Sequence, residues 1–252
     1  DKSRRVTAAD IDELISASLD KAESDGYVLM HSTPVRFTLN GETSAATPIG
    51  VKADEVSVLV SHMFVQQEFV RTLETILSAI DVELSMCMSS QLCNALTVIP
   101  EKERVRPAVL IDVGYTHTDV SIVESAALTA VKAIDVGGKH FASDLGFGLD
   151  VPLETAEQVK RRYVFMQEPS SSTEIVRTPP GPKRVDHKVI RLIMEARAEE
   201  FCALLREAIT TLGVSLDANP ITYVTGGGFA MQKGGMEYLK SALQLAVKRD
   251  TP

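Results

Sequence analysis

Apolar residues recur along this chain at two spacings, and the switches between them predict the order of its elements. Thr7, with Asp10 three places on, forms a variant capping box ahead of Ile11, Leu14, Ile15 and Leu19, which share one helical face. Strand-like runs follow at 27–31 and 35–39, the second turning at the hairpin pair Asn40-Gly41, and a third strand is expected over 55–64. Over 67–80 the helical period returns. Phe69, Val70, Leu73, Ile76, Leu77 and Ile80 trace a stripe expected to face a core. The small residues of 89–96 read as a further core helix, followed by a charged loop over 100–106.

From 109 onward the apolar runs become continuous and end in glycine. Val109-Leu110-Ile111 reads as a buried strand closed by Asp112; Gly114 turns the chain, and Asp119 opens a second strand over 120–123. A third, over 128–136, ends in Gly137-Gly138 and runs into a segment at 139–149. Pro152 opens a helix over 151–163 in which Glu157 and Lys160 face one way, and an exposed ion pair of little weight is one reading of them. The Pro- and Ser-rich 169–182 is expected to be a mobile loop. The longest helical pattern, 187–212, stops at Gly213, and its Glu195, Arg197, Glu199 and Glu200 read as a solvated or a docking face. Near the end, Tyr223 to Phe229 reads Y-V-T-G-G-G-F, again an apolar run broken by glycine.

Chemistry concentrates in these turns. In D-V-G-Y-T-H-T-D, Asp112 carries a carboxylate on a rigid strand end, backbone N–H groups of the turn can meet phosphate oxygens, and Thr116 and Thr118 offer hydroxyls. A carboxylate so placed can hold hydrated Mg2+ through its water shell, so the geometry suits a magnesium nucleotide. In isolation D-x-G-x-x-x-T fits an ordinary hairpin equally well; its weight comes from the other two glycine turns.

Composition narrows the classes. The 252 residues are 44% apolar and 24% charged, which suits one large or two smaller globular domains. The net charge of −8 speaks against an extended nucleic-acid surface, since phosphate contacts need clustered Lys and Arg. Cys87, Cys93 and Cys202 are odd in number and lack C-x-x-C spacing, so buried thiols are expected rather than a disulfide framework or a zinc site. His31 and His62 read as packing residues. No apolar run approaches the about 20 residues of a membrane span, and the composition reads as cytoplasmic. The start at Asp1 suggests an excised piece.

In their order these segments resemble the FtsA family, bacterial division proteins of the actin/Hsp70-like ATPase superfamily, over essentially the whole chain. R-V-T-A-A-D-I from Arg5, Y-V-L-M-H from Tyr27, F-T-L-N-G from Phe37 and T-P-I-G-V from Thr47 are similar to the family's inserted subdomain 1C. L-I-D-V-G-Y-T-H-T-D from Leu110 is similar to its phosphate 2 motif, and Y-V-T-G-G-G-F to its adenosine motif. Between them lie D-V-G-G-K-H-F-A-S-D-L from Asp135, P-L-E-T-A-E-Q-V-K from Pro152 and E-A-R-A-E-E-F from Glu195.

The resemblance implies an α/β fold: an actin-like (ribonuclease H-like) ATPase lobe with a small inserted α+β subdomain of the 1C, or SHS2, type. It implies a 1C-like segment over 1–84, a linking helix of the first lobe over 85–106, a nucleotide-binding subdomain over 107–150 and 214–252, and a 2B-like subdomain over 151–213. ATP with Mg2+ is the implied cofactor. Asp112 and Gly114, Tyr115, Thr116, His117 and Thr118 would meet the β- and γ-phosphates, with Mg2+ reached from Asp112 through water. Gly226, Gly227 and Gly228 would pass the α-phosphate and ribose, Glu157 and Lys160 would flank the ribose and adenine, and Gly137 and Gly138 would shape the cleft floor. Tyr115, His117 and Phe229 depart from the smaller residues usual in the family, which bears on pocket shape and hydrolysis.

Its implied partners are the C-terminal peptide of the tubulin-like FtsZ, with Lys188 and Arg197 on the docking helix, further copies of itself, and later division proteins through the 1C-like segment. A membrane-targeting helix would follow Pro252 and a phosphate 1 loop would precede the chain, so weak nucleotide binding and negligible turnover are expected of this piece. The implied site of action is the inner face of the membrane at the division site. Two other readings stay open: a PilM-like component of type IV pilus assembly, and a sugar-kinase-type enzyme of the same superfamily.

Overall fold

Thr7 and Asp10 start the first helix as their spacing predicts. Thr7 Oγ1 accepts from the Asp10 amide (3.3 Å) while Asp10 Oδ2 accepts from the Thr7 amide (2.8 Å), satisfying two donors that the helix would leave open. A computed structural model describes residues 4–20, 22, 25–229 and 232–249, so the outer ends of the first and last expected segments lie outside the described residues. The chain divides into two compact units, 1–106 with 123–129, and 107–122 with 130–252.

In the first unit, β1 (Arg4–Arg5) and helix α1 (Ala8–Leu19) precede a long strand, β2 (Tyr27–Leu39), then β3 (Glu42–Ser44), β4 (Lys52–Ala53) and β5 (Val56–Gln66). β2 is central in a three-stranded sheet of order β3-β2-β5, and β1 pairs with β4. The two expected strands at 27–31 and 35–39 are one. Pro34 does not break it, because β3 pairs only with Phe37–Leu39, leaving Pro34 an edge on that side, and register shifts at Leu29/His31 and Pro34/Arg36 absorb the irregularity. Asn40 (φ 48°) and Gly41 (φ 88°) make the two-residue hairpin turn, and the Asn40 side chain accepts from the amides of Asp54 and Glu55.

Val6, Ile11, Phe37 and Ala53 form this unit's core beneath α1. His62 ties α1 to the sheet: Ser18 Oγ donates to Ile15 O, so it accepts from His62 Nε2 (2.8 Å), and Nδ1 accepts from Ser32 Oγ (2.8 Å). Both nitrogens of His31 are buried and without a partner among the described residues.

Helix α2 (Gln67–Ser78) forms as expected, but its stripe does not face a core. No residue of α2 is buried, and Phe69, Ile76 and the following Ile80 are each more than half exposed. Periodicity reports that one face is apolar, not that the unit covers it. Helix α3 (Ser90–Val98) buries Leu92, Ala95 and Val98 and is capped by Ser89. The 123–129 segment belongs here through Ser125 Oγ to Val35 O (2.7 Å), Ser61 Oγ to Leu128 O (2.6 Å) and the Glu124 carboxylate against Arg36 (3.1 Å). The expected burial of all three thiols holds for Cys202 alone; Cys93 is exposed and Cys87 half-buried.

The second unit is built on a five-stranded sheet of order β12-β11-β6-β7-β8. Strands β6 (Ala108–Val113), β7 (Thr118–Glu124) and β8 (Ala127–Ile134) follow one another through tight turns; helices α4 (Gly138–Leu149) and α5 (Leu153–Arg162) come next. Residues 169–182, expected to be a mobile loop, lie largely in a hairpin of β9 (Thr173–Thr178) and β10 (Gly181–Asp186), closed by Pro179-Pro180. Val176 and Val185 are its buried anchors, too few to show against polar composition. Helix α6 (His187–Thr211), capped by Asp186, buries Ile190, Met194, Ala198, Phe201, Cys202, Leu205, Ala208 and Ile209. Strand β11 (Thr222–Thr225), helix α7 (Gly235–Leu243) and β12 (Val247–Arg249) complete it.

β11 runs parallel to both β6 and β12, and Val109, Leu110, Ile111 and Val224 are at most 1% exposed, as expected of strands covered on both faces. Phe141, Phe165, Phe201 and Phe229 cluster with ring centroids 5.2–6.2 Å apart, each fully buried. Such a ring contributes about 2–3 kcal/mol by burial alone.

Candidate functional site

The carboxyl ends of β6 and β11 lie side by side because the strands are parallel, with Thr225 in register with Asp112. Open α/β sheets place ligands at this edge. Here the first and last glycine turns, separated by more than a hundred residues of sequence, meet. Gly226 has φ +88°, and a Cβ there would lie 2.5 Å from Asp112 Oδ1. The Gly228 amide donates to Val113 O (2.8 Å).

The third turn closes onto the other two. The 114–117 turn is held by the Gly114 amide donating to His117 O (3.0 Å). The Gly138 and Lys139 amides, at the start of α4, donate to Gly114 O (2.9 Å) and Tyr115 O (2.7 Å). A Cβ on Gly137 would come 2.6 Å from Gly114 O, and one on Gly138 would come 2.9 Å from Gly228 Cα. These glycines are therefore required first for backbone to approach backbone. Gly227 differs: a Cβ there meets nothing within 4 Å, so it faces open space.

This packing redistributes the donors expected for phosphate. The α4 N-terminus is occupied by carbonyls of the turn, and the Gly137 amide donates to His140 Nδ1 (3.0 Å). The amides of Tyr115, Thr116 and Gly227 make no hydrogen bond among the described residues. They are the donors an anion would meet. Tyr115, Thr116 and His117 are exposed at the rim, with Thr116 Oγ1 3.1 Å from His117 Nδ1. Thr118 is not available: it is fully buried, and its hydroxyl donates to Val136 O (2.7 Å), because strand alternation turns it inward. Phe229 does not shape the pocket either. It anchors the glycine run in the aromatic core, 5.4 Å from Phe141.

Lys160 and Glu157 arrive from α5. The Lys160 ammonium is 6% exposed as a residue, lies 2.7 Å from Glu157 Oε2 and donates to Gly138 O (2.9 Å), so the reading as an exposed pair is overturned. Burial pushes the Glu157 carboxyl up, but hydrogen bonds from Lys160 and Arg161 outweigh that and hold it below its ordinary value. Gln232, which the sequence did not single out, fastens this end of α5 by donating to Lys160 O (2.7 Å). A glutamine three places beyond a buried phenylalanine carries no readable signal.

These residues fit a nucleotide polyphosphate: unpaired amides at Tyr115, Thr116 and Gly227, open space beside Gly227, and a buried ammonium against Gly138. Among the described residues no three His, Cys, Asp or Glu side chains could together hold a metal ion. Mg2+ would rest on Asp112 and water, as hydrated Mg2+ commonly does. Lys188 and Arg197 lie apart on α6. Lys188 is exposed, whereas Arg197 is a brace, its guanidinium on both oxygens of Asp144 in α4 (2.5 and 3.0 Å) and on Glu200 (2.8 Å).

Residues 109–252 match the family of the cell division protein FtsA, and residues 1–63 match the SHS2 domain inserted in FtsA. The chain belongs to the FtsA family. Among FtsA proteins it is 21% identical to that of Pseudomonas aeruginosa over all of this chain and 61% of the relative, and 25% identical to that of Helicobacter pylori over 97% and 50%. It thus spans about half to three fifths of the length of these curated FtsA relatives.

Solved structures agree on the fold. MreB5 of Spiroplasma citri bound to ADP superposes with a TM-score of 0.60 at 22% identity, over 74% of this chain and 61% of that one. The PilM-PilN type IV pilus biogenesis complex gives 0.55 at 18% identity, over 98% and 64%. The fold is actin-like, with the SHS2 domain of FtsA inserted. No helix among the described residues is long and apolar enough to cross a membrane.

Proposed function

We propose that this chain is the nucleotide-binding lobe and inserted module of an actin-like division scaffold, which binds ATP, associates with further copies of itself and tethers FtsZ to the membrane. The observation that supports this best is the meeting of the three glycine turns beside Asp112, with unpaired amides at Tyr115, Thr116 and Gly227 around open space. In this reading the amides of 115–116 and Gly227 bind phosphate oxygens and Asp112 orients hydrated Mg2+, which offsets phosphate charge. Glu157 and Lys160 border the ribose and adenine, with Lys160 fixed by Gly138. ATP titrated into the chain tests it: saturable binding that Gly227→Phe abolishes without unfolding is expected, and undiminished binding to that variant refutes the site.

For the partner, α6 presents Lys188, Val189 and Leu192 to solvent, Leu192 at 70% exposure, and the neighbouring α4 presents Phe147 at 91%. Ile193 of α6 packs against Gly148 of α4, and the same two helices are braced by Arg197 on Asp144. An FtsZ C-terminal peptide is the expected occupant, and Leu192→Asp should weaken its binding at least tenfold. Retention of affinity in Leu192→Asp, or preference for a pilus-type PilN peptide, would overturn this assignment.

A further inference from the structure

The serines at 170–172, between the end of α5 and β9, are all exposed, but their surroundings differ. Ser171 Oγ donates to Thr173 O (2.7 Å). Ser172 holds the start of α6, its carbonyl accepting from the His187 amide (3.0 Å). Ser170 makes no hydrogen bond among the described residues, and it lines a cavity of about 310 Å³ between the last turn of α5 and the first turns of α6. That volume lies at the lower end of the range for ligand sites.

Arg162 and Arg191, one from each helix, are the fixed positive charges of this cavity. Arg162 Nη2 lies 3.3 Å from Glu174 Oε1, and its Nε and Nη1 have no partner among the described residues. Arg191 meets Glu195 through Nε (2.9 Å) and Glu168 through Nη1, which leaves Nη2 open. Glu174 also faces His187 Nε2 (3.7 Å). These carboxylates do not use up the arginines' donors, since each guanidinium carries five N–H groups. Charge-assisted bonds to oxygen run to about 2.7–2.9 Å, shorter than the Arg162 contact. Glu168, which the loop itself supplies to Arg191, is 80% exposed, so that pair contributes little. A dianion two residues further along the same loop would displace it.

We propose that Ser170 is a phosphorylation site whose phosphoryl group enters this cavity and bridges Arg162 of α5 to Arg191 of α6. The donor is ATP on a serine/threonine kinase. Ser170 Oγ bonds to the γ-phosphorus as the bond from that phosphorus to the β–γ bridging oxygen breaks; ADP leaves, and the hydroxyl proton passes to the kinase's base. The open N–H groups of Arg162 and Arg191 then donate to phosphate oxygens, and Glu168 is released to solvent. Gln232 already fastens this end of α5 through the carbonyls of Lys160 and Tyr163, so the modification adds a second clamp, from the loop to both helices. The proposal does not depend on the nucleotide reading.

The test installs phosphoserine at position 170, and separately at position 172, in the full 252-residue chain, and follows each phosphorus NMR signal against pH. A phosphate beside two guanidiniums holds its second proton less tightly. The phosphate at position 170 should therefore titrate at least about half a unit below its ordinary value of about 6, roughly threefold weaker proton binding. The one at position 172, outside the cavity, should stay near that value. Arg162→Gln and Arg191→Gln should each move the first titration back up, with circular dichroism reporting that both variants remain folded. Identical titrations at the two positions, or a shift that survives both arginine replacements, would overturn the bridge. In the protein purified from its own cells, phosphopeptide mass spectrometry should find phosphate on Ser170, and an unmodified Ser170 would overturn the modification.

Discussion

Replacing Gly137 and Gly227 by alanine separates the two roles a glycine turn can have. A Cβ on Gly137 would meet Gly114 O at 2.6 Å, Tyr115 O at 2.7 Å and Tyr115 C at 2.8 Å, all backbone atoms that cannot rotate away, whereas ordinary contact begins at 3.4 Å. The two segments must part by several tenths of an ångström. That strains the hydrogen bonds from Gly138 to Gly114 O (2.9 Å) and from Lys139 to Tyr115 O (2.7 Å). Overpacking costs about 1–3 kcal/mol, and each weakened hydrogen bond adds up to about 1 kcal/mol, so Gly137→Ala should lose roughly 2–4 kcal/mol.

In a domain of this size each kcal/mol lowers the melting temperature by about 2–4 °C, which predicts a fall of roughly 5–15 °C in the transition of the second unit. Gly227→Ala, whose new methyl meets nothing within 4 Å, should stay within about 0.5 kcal/mol of the parent. Differential scanning calorimetry with hydrogen exchange at 114–116 reads both outcomes. Comparable losses from the two variants, or a loss below about 1 kcal/mol for Gly137→Ala, would refute the claim that these turns are held backbone against backbone.

Lys160→Met removes a buried ammonium, takes one hydrogen bond from Gly138 O and leaves part of Glu157 without a partner; because Arg161 still reaches Glu157, a loss of about 2–3 kcal/mol in urea unfolding is expected. Glu157, whose pKa is lowered in the fold, stabilises above its unfolded value and ceases to do so as pH falls through the folded one. Acid unfolding followed below about pH 4.5 should therefore be shallower in Glu157→Gln than in the parent. His31→Leu should raise stability by about 1–2 kcal/mol, since it removes two buried nitrogens without partners, and a loss measured by chemical denaturation would mean the imidazole is bonded after all.

The sequence by itself determined the elements whose cause is local. The Thr7–Asp10 capping box, the Asn40-Gly41 turn and the apolar runs of β6 and β11 follow from neighbouring residues, and their order sufficed to bring out the family. It also marked the glycine turns as a candidate site. Only the tertiary structure decided what those residues do there. Gly114, Gly226 and Gly228, expected at the phosphates and ribose, and Gly137 and Gly138, expected on the cleft floor, all sit where a Cβ would meet backbone; parallel pairing of β6 with β11 presses 226–228 onto 112–114, and the start of α4 closes on both. Thr118 and Phe229 are turned inward, and Lys160 is buried against a carbonyl 22 residues away in sequence. Periodicity named the apolar face of α2 but could not say that no buried residue lies along it. A residue's spacing fixes its neighbours along one element, whereas its solvent exposure and hydrogen-bond partners depend on segments that folding brings from elsewhere in the chain.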